Sequence, residues 1–310
     1  MANRTPIVVA FTPNYFVPAA TTLKSIIDSS FANFNLICLV SEDLSDKMKQ
    51  ELADMSGDQL HIKYINLKGR MKDTYIDERY TEAASYRLLL PEILPEYDKV
   101  VYIDCDVIVR TDIAELCNDT DLGENWLAAV FEAPIEQQAE RYRALGCDPD
   151  HYFNSGFLIM NLKQMRQEDV VSKLIKAASV DHLEFPDQDA LNQVCIGRVK
   201  GLSPVYNSIR TCFLPQYKKD FLKKYSPEEW NQVQVHGTIH YTGGKPWDIF
   251  SVKFSEWWKV YYRLPAAIRA EWTPKKRLTF VYALYKTAPG KWCLETARRI
   301  YRFVRYGVKS

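Results

Sequence analysis

The sequence predicts an α/β fold built on one mostly parallel sheet. Three observations carry that expectation. Strand-like runs alternate with helical patterns along residues 7–131, the order a parallel sheet demands because a helix makes each crossover between parallel strands. Hydrophobic residues make up 47% of the 310 and charged residues 25%, which is enough apolar surface to cover both faces of such a sheet and too little charge for a disordered chain. One run, residues 100–109, is aliphatic or aromatic except for Asp104, Cys105 and Asp106, and the carboxyl end of a parallel strand is where α/β folds bind ligands.

The elements follow in order. Residues 7–12 read as a short buried strand ended by Pro13, with a helical pattern over 17–29 behind it. Residues 35–41 are strand-like, 43–55 are amphipathic and helical, and 61–66 alternate as a strand does. The pattern over 81–90 reads as a helix closed by Pro91, since proline lacks the N–H a helix interior uses. Residues 99–109 form a strand with an interruption, and 126–131 form another. Beyond Phe131 the order loosens. A strand is expected over 157–161, helices over 170–178 and 188–195, and a short strand over 238–241 ahead of Gly243-Gly244. Pro265 divides a body, residues 1–265, from a helical tail, residues 266–310.

The net charge is +1, but it is unevenly spread. Residues 269–310 hold eleven Lys and Arg against Glu271 and Glu295, a charge of +9, so the rest of the chain carries −8. An acidic body suits a divalent cation, and a basic, aromatic tail suits an anionic surface. Arg298, Arg299, Arg302 and Arg305 recur at roughly helical spacing with Ile300, Phe303 and Val304 between them, the pattern of a helix lying in a lipid headgroup layer. The alternatives for this segment are a solvated helix that packs its aromatics on the body, and binding of single-stranded nucleic acid; the membrane is favoured, and no nucleic acid is expected. None of the seven cysteines has C-x-x-C spacing, which argues against a zinc site or a disulfide framework and for a reducing compartment. With no secretory h-region and no apolar run approaching about 18 residues, the expected location is cytoplasmic and peripheral, on the cytoplasmic face of the inner membrane.

Asp104 and Asp106 are the most informative pair. On a strand, positions i and i+2 face one side, so the two carboxylates converge where apolar neighbours solvate them poorly and they repel each other. A divalent cation resolves both costs, and oxygen ligands suit Mg²⁺ or Mn²⁺. The plainer alternative is a solvated turn that caps the chain from Thr111 onward. Three further segments offer chemistry. Residues 152–157 put Asn154, Ser155 and Gly156 ahead of an apolar strand, where amide and hydroxyl groups can hydrogen-bond hydroxyls and glycine permits close approach, although taken locally a plain turn is the simpler reading. Asp187 and Gln188 open a helix, Asp187 as its N-cap or as a polar group facing a cleft. Residues 239–247 combine His240, a Gly243-Gly244 turn and Lys245, an imidazole for a metal and a cation with backbone N–H groups for a phosphate.

Taken in order, these segments resemble glycosyltransferase family 8, which includes glycogenin and bacterial lipooligosaccharide galactosyltransferases. The resemblance rests on Asn14-Tyr15, Ser85-Tyr86-Arg87-Leu88, Tyr102-Ile103-Asp104-Cys105-Asp106, Phe153-Asn154-Ser155-Gly156, Asp187 to Asn192, and His240-Tyr241-Thr242-Gly243 with Lys245-Pro246-Trp247. It implies a GT-A fold, a UDP-sugar donor carrying a hexose such as galactose or glucose, and retention of configuration. It implies Mn²⁺, or Mg²⁺, on Asp104, Asp106 and His240, with Lys245 on the diphosphate. Asn14 and Tyr15 would meet the base. Arg87, Asp104, Asn154, Ser155, Asp187 and Gln188 would surround the sugar, with Asp104, Asp187 and Gln188 as the catalytic set. Cys105, Glu132 and Gly243 would line the donor site. The acceptor would be a glycan or glycolipid, of lipopolysaccharide or lipooligosaccharide core type.

Two positions depart from the family pattern. Thr12 stands where an acid usually touches the base, which changes base recognition. The turn between His240 and Lys245 is one residue shorter than in several relatives, which changes how Lys245 reaches the phosphate. Two other readings compete: a scaffold that binds nucleotide-sugars without turnover, and a phosphohydrolase of the haloacid dehalogenase type, whose first Asp is a nucleophile but whose second, Gly-Asp-x-x-x-Asp metal motif is missing here.

Overall fold

A computed structural model describes residues 4–306 apart from 73, 75–80 and 182. The last four residues of the predicted tail, 307–310, lie outside the described residues. Seven strands form the main sheet: β1 (Thr5–Phe11), β2 (Phe34–Val40), β3 (Leu60–Asn66), β4 (Lys99–Ile103) and, after a two-residue strand β5 (Val107–Ile108) that belongs elsewhere, β6 (Leu127–Phe131), β7 (Phe153–Asn161) and β8 (Val199–Gly201). Their order is β3-β2-β1-β4-β7-β6-β8, and β5 pairs with β9 (Ile239–His240) in a second, two-stranded sheet. β7 alone runs against the others in the main sheet, antiparallel to both β4 and β6. The expected α/β class and mostly parallel sheet are therefore observed.

Strand composition follows position. β1 and β2 are nearly continuous apolar runs because both faces are covered. Ile7 and Val9 point into one core cluster and Val8 into the other. β3 is the sheet edge and alternates buried with exposed residues, as its sequence does.

Two prolines act differently from the sequence reading. Pro91 does not close the helix: residues Glu82–Leu89 form a 3₁₀ helix that passes into a short α-helix, Leu90–Ile93, with Pro91 in its first turn. The first turn has no N–H to lose, so proline is tolerated there. The helix Pro186–Val194 begins at its proline with Phe185 as N-cap, so Asp187 lies inside the first turn and is not the cap. Asp112, which accepts from the backbone N–H groups of Ala114 and Glu115, caps the helix that follows Thr111, leaving Asp104 and Asp106 without that duty.

The residues beyond Pro265 are helical, over Ala266–Ala270, Lys276–Tyr285 and Ala288–Tyr306. Ile268, Leu278 and Tyr282 join the same core cluster as β1 and the helix Phe16–Ser29. Tyr282 stacks on Tyr262 with ring centroids 5.3 Å apart. The last helix is different: Trp292, Ile300, Tyr301, Phe303 and Val304 are exposed. Among the described residues, no helix is long and apolar enough to cross a membrane. All seven cysteines are free thiols, and only Cys293 is exposed.

Candidate functional site

The shared direction of the strands assembles the site. β1 and β4 end at one edge of the sheet, so Thr12 and Tyr15 follow one strand and Asp104 to Asp106 the next. β7 runs the other way, so its first residues, Asn154 and Ser155, return to that edge, and Glu132 follows β6 there. These residues line a cleft of about 770 Å³.

The aspartate pair converges for a reason the strand rule does not supply. The chain leaves the main sheet at Asp104, turns through Cys105 and Asp106, and enters the second sheet, where Val107 pairs with His240. The turn and the β5–β9 pairing bring three ligating groups together: Asp104, Asp106 and His240 offer atoms within 4.8 Å of one another. His240 Nε2 lies 3.2 Å from Asp106 Oδ1 and 3.8 Å from Asp104 Oδ2. Its Nδ1 lies 3.0 Å from Asn207 Oδ1; with the proton on Nδ1 donated there, Nε2 presents its lone pair to the carboxylates, the orientation a metal-binding histidine needs. Two carboxylates and one so oriented imidazole fit a divalent cation. Lys245 ion-pairs with Asp106 and donates to the Tyr241 carbonyl at 2.9 Å. Burial opposes ionisation of Asp106, yet Lys245 and then His240 outweigh it and hold the carboxyl well below the ordinary carboxylate range.

Asp104 divides its oxygens. Oδ1 accepts from Arg87 at 2.8 Å and from the Tyr102 hydroxyl at 3.0 Å, while Oδ2 faces His240. Arg87, 4% exposed, also reaches Asp187 Oδ2 at 3.2 Å and the Ser155 carbonyl at 2.6 Å. It is thus the cation between two acids. Burial raises the Asp187 carboxyl above its usual value, with Arg87 opposing and Asp104 reinforcing.

Gln188 is held from both ends. Its Oε1 accepts from Asn154 Nδ2 at 2.9 Å and the Ser155 N–H at 3.1 Å, and its Nε2 donates to the Tyr152 hydroxyl at 3.1 Å. Tyr152 in turn donates to the buried Asp189 at 2.5 Å, which pairs with Arg141. Asn207 Nδ2 donates to Asn154 Oδ1 at 3.0 Å, so one hydrogen-bonded chain runs from the His240 ring to Gln188.

Of the residues singled out in the sequence, Thr12, Tyr15, Arg87, Asp104, Cys105, Asp106, Glu132, Asn154, Ser155, Asp187, Gln188, His240, Gly243 and Lys245 line this one cleft. Asn14 does not; it is exposed on the 3₁₀ turn Pro13–Tyr15. Tyr15 sits edge-on to Trp247 with centroids 5.6 Å apart, an aromatic wall at the β1 end of the cleft. Sequence reasoning missed Asn207 and Arg210. Asn207 lies in the loop after β8 and Arg210 opens the short 3₁₀ helix Arg210–Phe213, where no periodicity marks a position.

Gly156 is required by space. A Cβ there would lie 2.2 Å from His240 Cε1 and 2.6 Å from Asp104 Oδ2. Both neighbours are fixed by their own bonds, so Gly156→Ala is expected to weaken divalent-metal binding by about 10–100-fold, the cost of disturbing ligand orientation, as read by Mn²⁺ titration with electron paramagnetic resonance. Unchanged affinity would show that the His240 ring has room to move.

Glu132 is buried and accepts from the Tyr142 hydroxyl at 2.7 Å. Burial raises its carboxyl above the usual value, against the hydrogen bond and Arg141. A raised folded value means that the neutral acid is the form the fold prefers, and stability falls as pH rises through that value. Glu132→Gln keeps an acceptor for Tyr142 and removes the charge. It is expected to unfold at a higher temperature than the parent at pH 8 and to lose that advantage near pH 5; a lower melting point at pH 8 would refute the sign.

The mixed seven-stranded sheet and the carboxylate–imidazole cleft at its edge make this a GT-A-type α/β protein. The chain belongs to glycosyl transferase family 8, whose profile matches residues 6–249. It is 29% identical over 197 residues to general stress protein A of Bacillus subtilis, covering 60% of this chain and 67% of that one. It is 26% identical over 251 residues to the lipopolysaccharide 1,2-glucosyltransferase of Escherichia coli K12, covering 77% and 71%. Some relatives are longer: the match spans 43% of a putative glycosyltransferase of Haemophilus influenzae, at 32% identity over 149 residues. Among solved structures, the galactosyltransferase LgtC with donor and acceptor sugar analogues superposes with a TM-score of 0.70 at 26% identity, covering 86% of this chain and all of that one. Family membership removes the haloacid dehalogenase alternative.

Proposed function

We propose that the protein transfers a hexose, galactose or glucose, from a UDP-sugar to a glycan acceptor with retention of configuration. The observation that carries this reading is the cluster of Asp104, Asp106 and His240 beside Lys245 in a cleft of about 770 Å³, a volume typical of cofactor and substrate sites. Mn²⁺ suits the cluster better than Mg²⁺ because one ligand is an imidazole. Asp104, Asp106 and His240 would hold a metal whose chemistry there would be Lewis-acid stabilisation of the departing diphosphate, without proton transfer. Lys245 adds a second positive charge where the leaving group's charge develops. Tyr15 and Trp247 supply the aromatic wall for the base, with Thr12 beside them and Asn14 at the rim. Arg87, Asn154, Ser155, Asp187 and Gln188 orient the sugar.

Retention without a covalent intermediate is the reading that these contacts support. The Gln188 carbonyl already accepts two hydrogen bonds, and Asp187 Oδ2 is shared by Arg87 and Ser155, so neither is presented as a loose nucleophile. The acceptor hydroxyl then attacks from the face the diphosphate leaves: the bond from the anomeric carbon to the diphosphate breaks as the new glycosidic bond forms, and the hydroxyl proton passes to the departing diphosphate oxygen. A glycosyl adduct trapped on Asp187 or Gln188 would refute that step. The transferase reading itself is tested by incubating the protein with Mn²⁺ and a panel of UDP- and GDP-sugars and following nucleoside-diphosphate release. Release from one UDP-hexose, abolished by EDTA, supports it; no binding of UDP with Mn²⁺ would sink it.

The acceptor class follows the lipopolysaccharide enzymes among the relatives. The exposed Trp292, Ile300, Phe303 and Val304, beside Arg299 on the last helix, suit the cytoplasmic face of an anionic membrane. The double substitution Ile300→Glu, Val304→Glu is expected to weaken binding to phosphatidylglycerol vesicles at least tenfold in a flotation assay; unchanged binding would remove the membrane role.

A further inference from the structure

A second groove, of about 620 Å³, adjoins the donor cleft. One wall is the segment from Gly244 to Val252, and the other is the last helix, through Leu294, Ala297, Arg298 and Tyr301. Arg210 lines both spaces. The segment between them is a partition: Gly243, Lys245, Trp247 and Asp248 face the cleft, while Gly244 and Ile249 face the groove.

We infer that this groove holds the acceptor, and that the acceptor is an oligosaccharide carrying a phosphate group. This rests on the transferase reading above. An acceptor hydroxyl must reach the same centre the donor occupies, and Arg210 is where the two spaces meet. Among the described residues, two guanidinium groups line the groove and no carboxylate does. Arg210 forms no ion pair among the described residues, and guanidinium matches phosphate geometry with paired donors. Arg298 is held in the wall by the Phe250 carbonyl at 3.2 Å and by that of Ser251. The remaining lining suits a sugar: Leu294, Ile249 and Tyr301 offer apolar surface for the C–H faces of the rings. Gln216 also lines the wall.

The test uses the oligosaccharide released by deacylating lipopolysaccharide, in native and phosphatase-treated forms, titrated by calorimetry into protein saturated with UDP and Mn²⁺. The native form is expected to bind, and phosphatase treatment to weaken it about tenfold, the loss of a charge-assisted hydrogen bond. Ala297→Trp, which fills the groove from the helix side, is expected to abolish binding. The unfolding temperature of each sample identifies a variant that fails to fold, in which case Tyr301→Ala, at an exposed side chain, carries the test with an expected loss of about fivefold. Absence of binding, equal affinity for the two preparations, or parent-like binding by a folded Ala297→Trp protein would overturn the proposal. Failure of the parent to bind UDP with Mn²⁺ is a separate result and falls on the transferase reading.

Discussion

Asp106→Asn is expected to lower the rate of UDP-sugar turnover about 10³-fold, the upper end of the cost of removing one preorganised electrostatic group. Asp106 is the group on which the cluster converges. It faces His240 at 3.2 Å and also pairs with Lys245. Asparagine keeps the shape and removes the charge. The neutral amide is a weaker ligand for a hard cation, and Lys245 loses the partner that holds it beside the cleft. Folding should survive the change, because the Lys245 side chain is 28% exposed and can turn to solvent, so no buried cation is stranded. The check is turnover measured with Mn²⁺ binding on the same sample. Both should fall while the melting temperature moves little. Turnover within tenfold of the parent would mean that the leaving group is stabilised elsewhere.

Arg87→Met is expected to cost about 3–5 kcal/mol of stability at pH 8, the penalty for breaking a buried ion pair from one side. Arg87 is wedged under the Tyr102 ring, 4.4 Å from its centroid, between Asp104 and Asp187. Methionine fills a similar volume, so the loss is electrostatic rather than a cavity. It leaves two carboxylates facing each other in a poorly hydrated place. The sign with pH follows. The Asp187 carboxyl is already raised by burial, and removing the cation that opposes this raises it further. Protonation at low pH then relieves the repulsion, so the deficit should shrink between pH 8 and pH 5. Urea unfolding at the two pH values measures it. A deficit independent of pH would assign the cost to lost packing or to the hydrogen bonds to Ala84 and Ser155.

Much of this was legible in the linear chain. Buried strands announce themselves as apolar runs, so β1, β2 and β4 were readable, and the alternation of β3 reflects its place at the edge. The aspartates stood out because carboxylates are rare in such apolar surroundings. The short polar segments around Asn154, Asp187 and His240 were each ambiguous alone and became informative through their order.

What the sequence by itself determined was the class of fold and most of the residues that line the cleft, because hydrophobic periodicity and residue chemistry are local properties. What only the tertiary structure decided was how those members meet. The reversal of β7 returns Asn154 and Ser155 to the active edge. The break after β4 and the pairing of Val107 with His240 join three candidate ligands, Asp104, Asp106 and His240. Asn207, which orients that histidine, and Arg210, which links cleft to groove, come from a stretch without periodicity. The last helix was expected to be a basic tail, yet it also forms a wall of the groove. Each of these depends on contacts between residues far apart in sequence, and no local pattern encodes them.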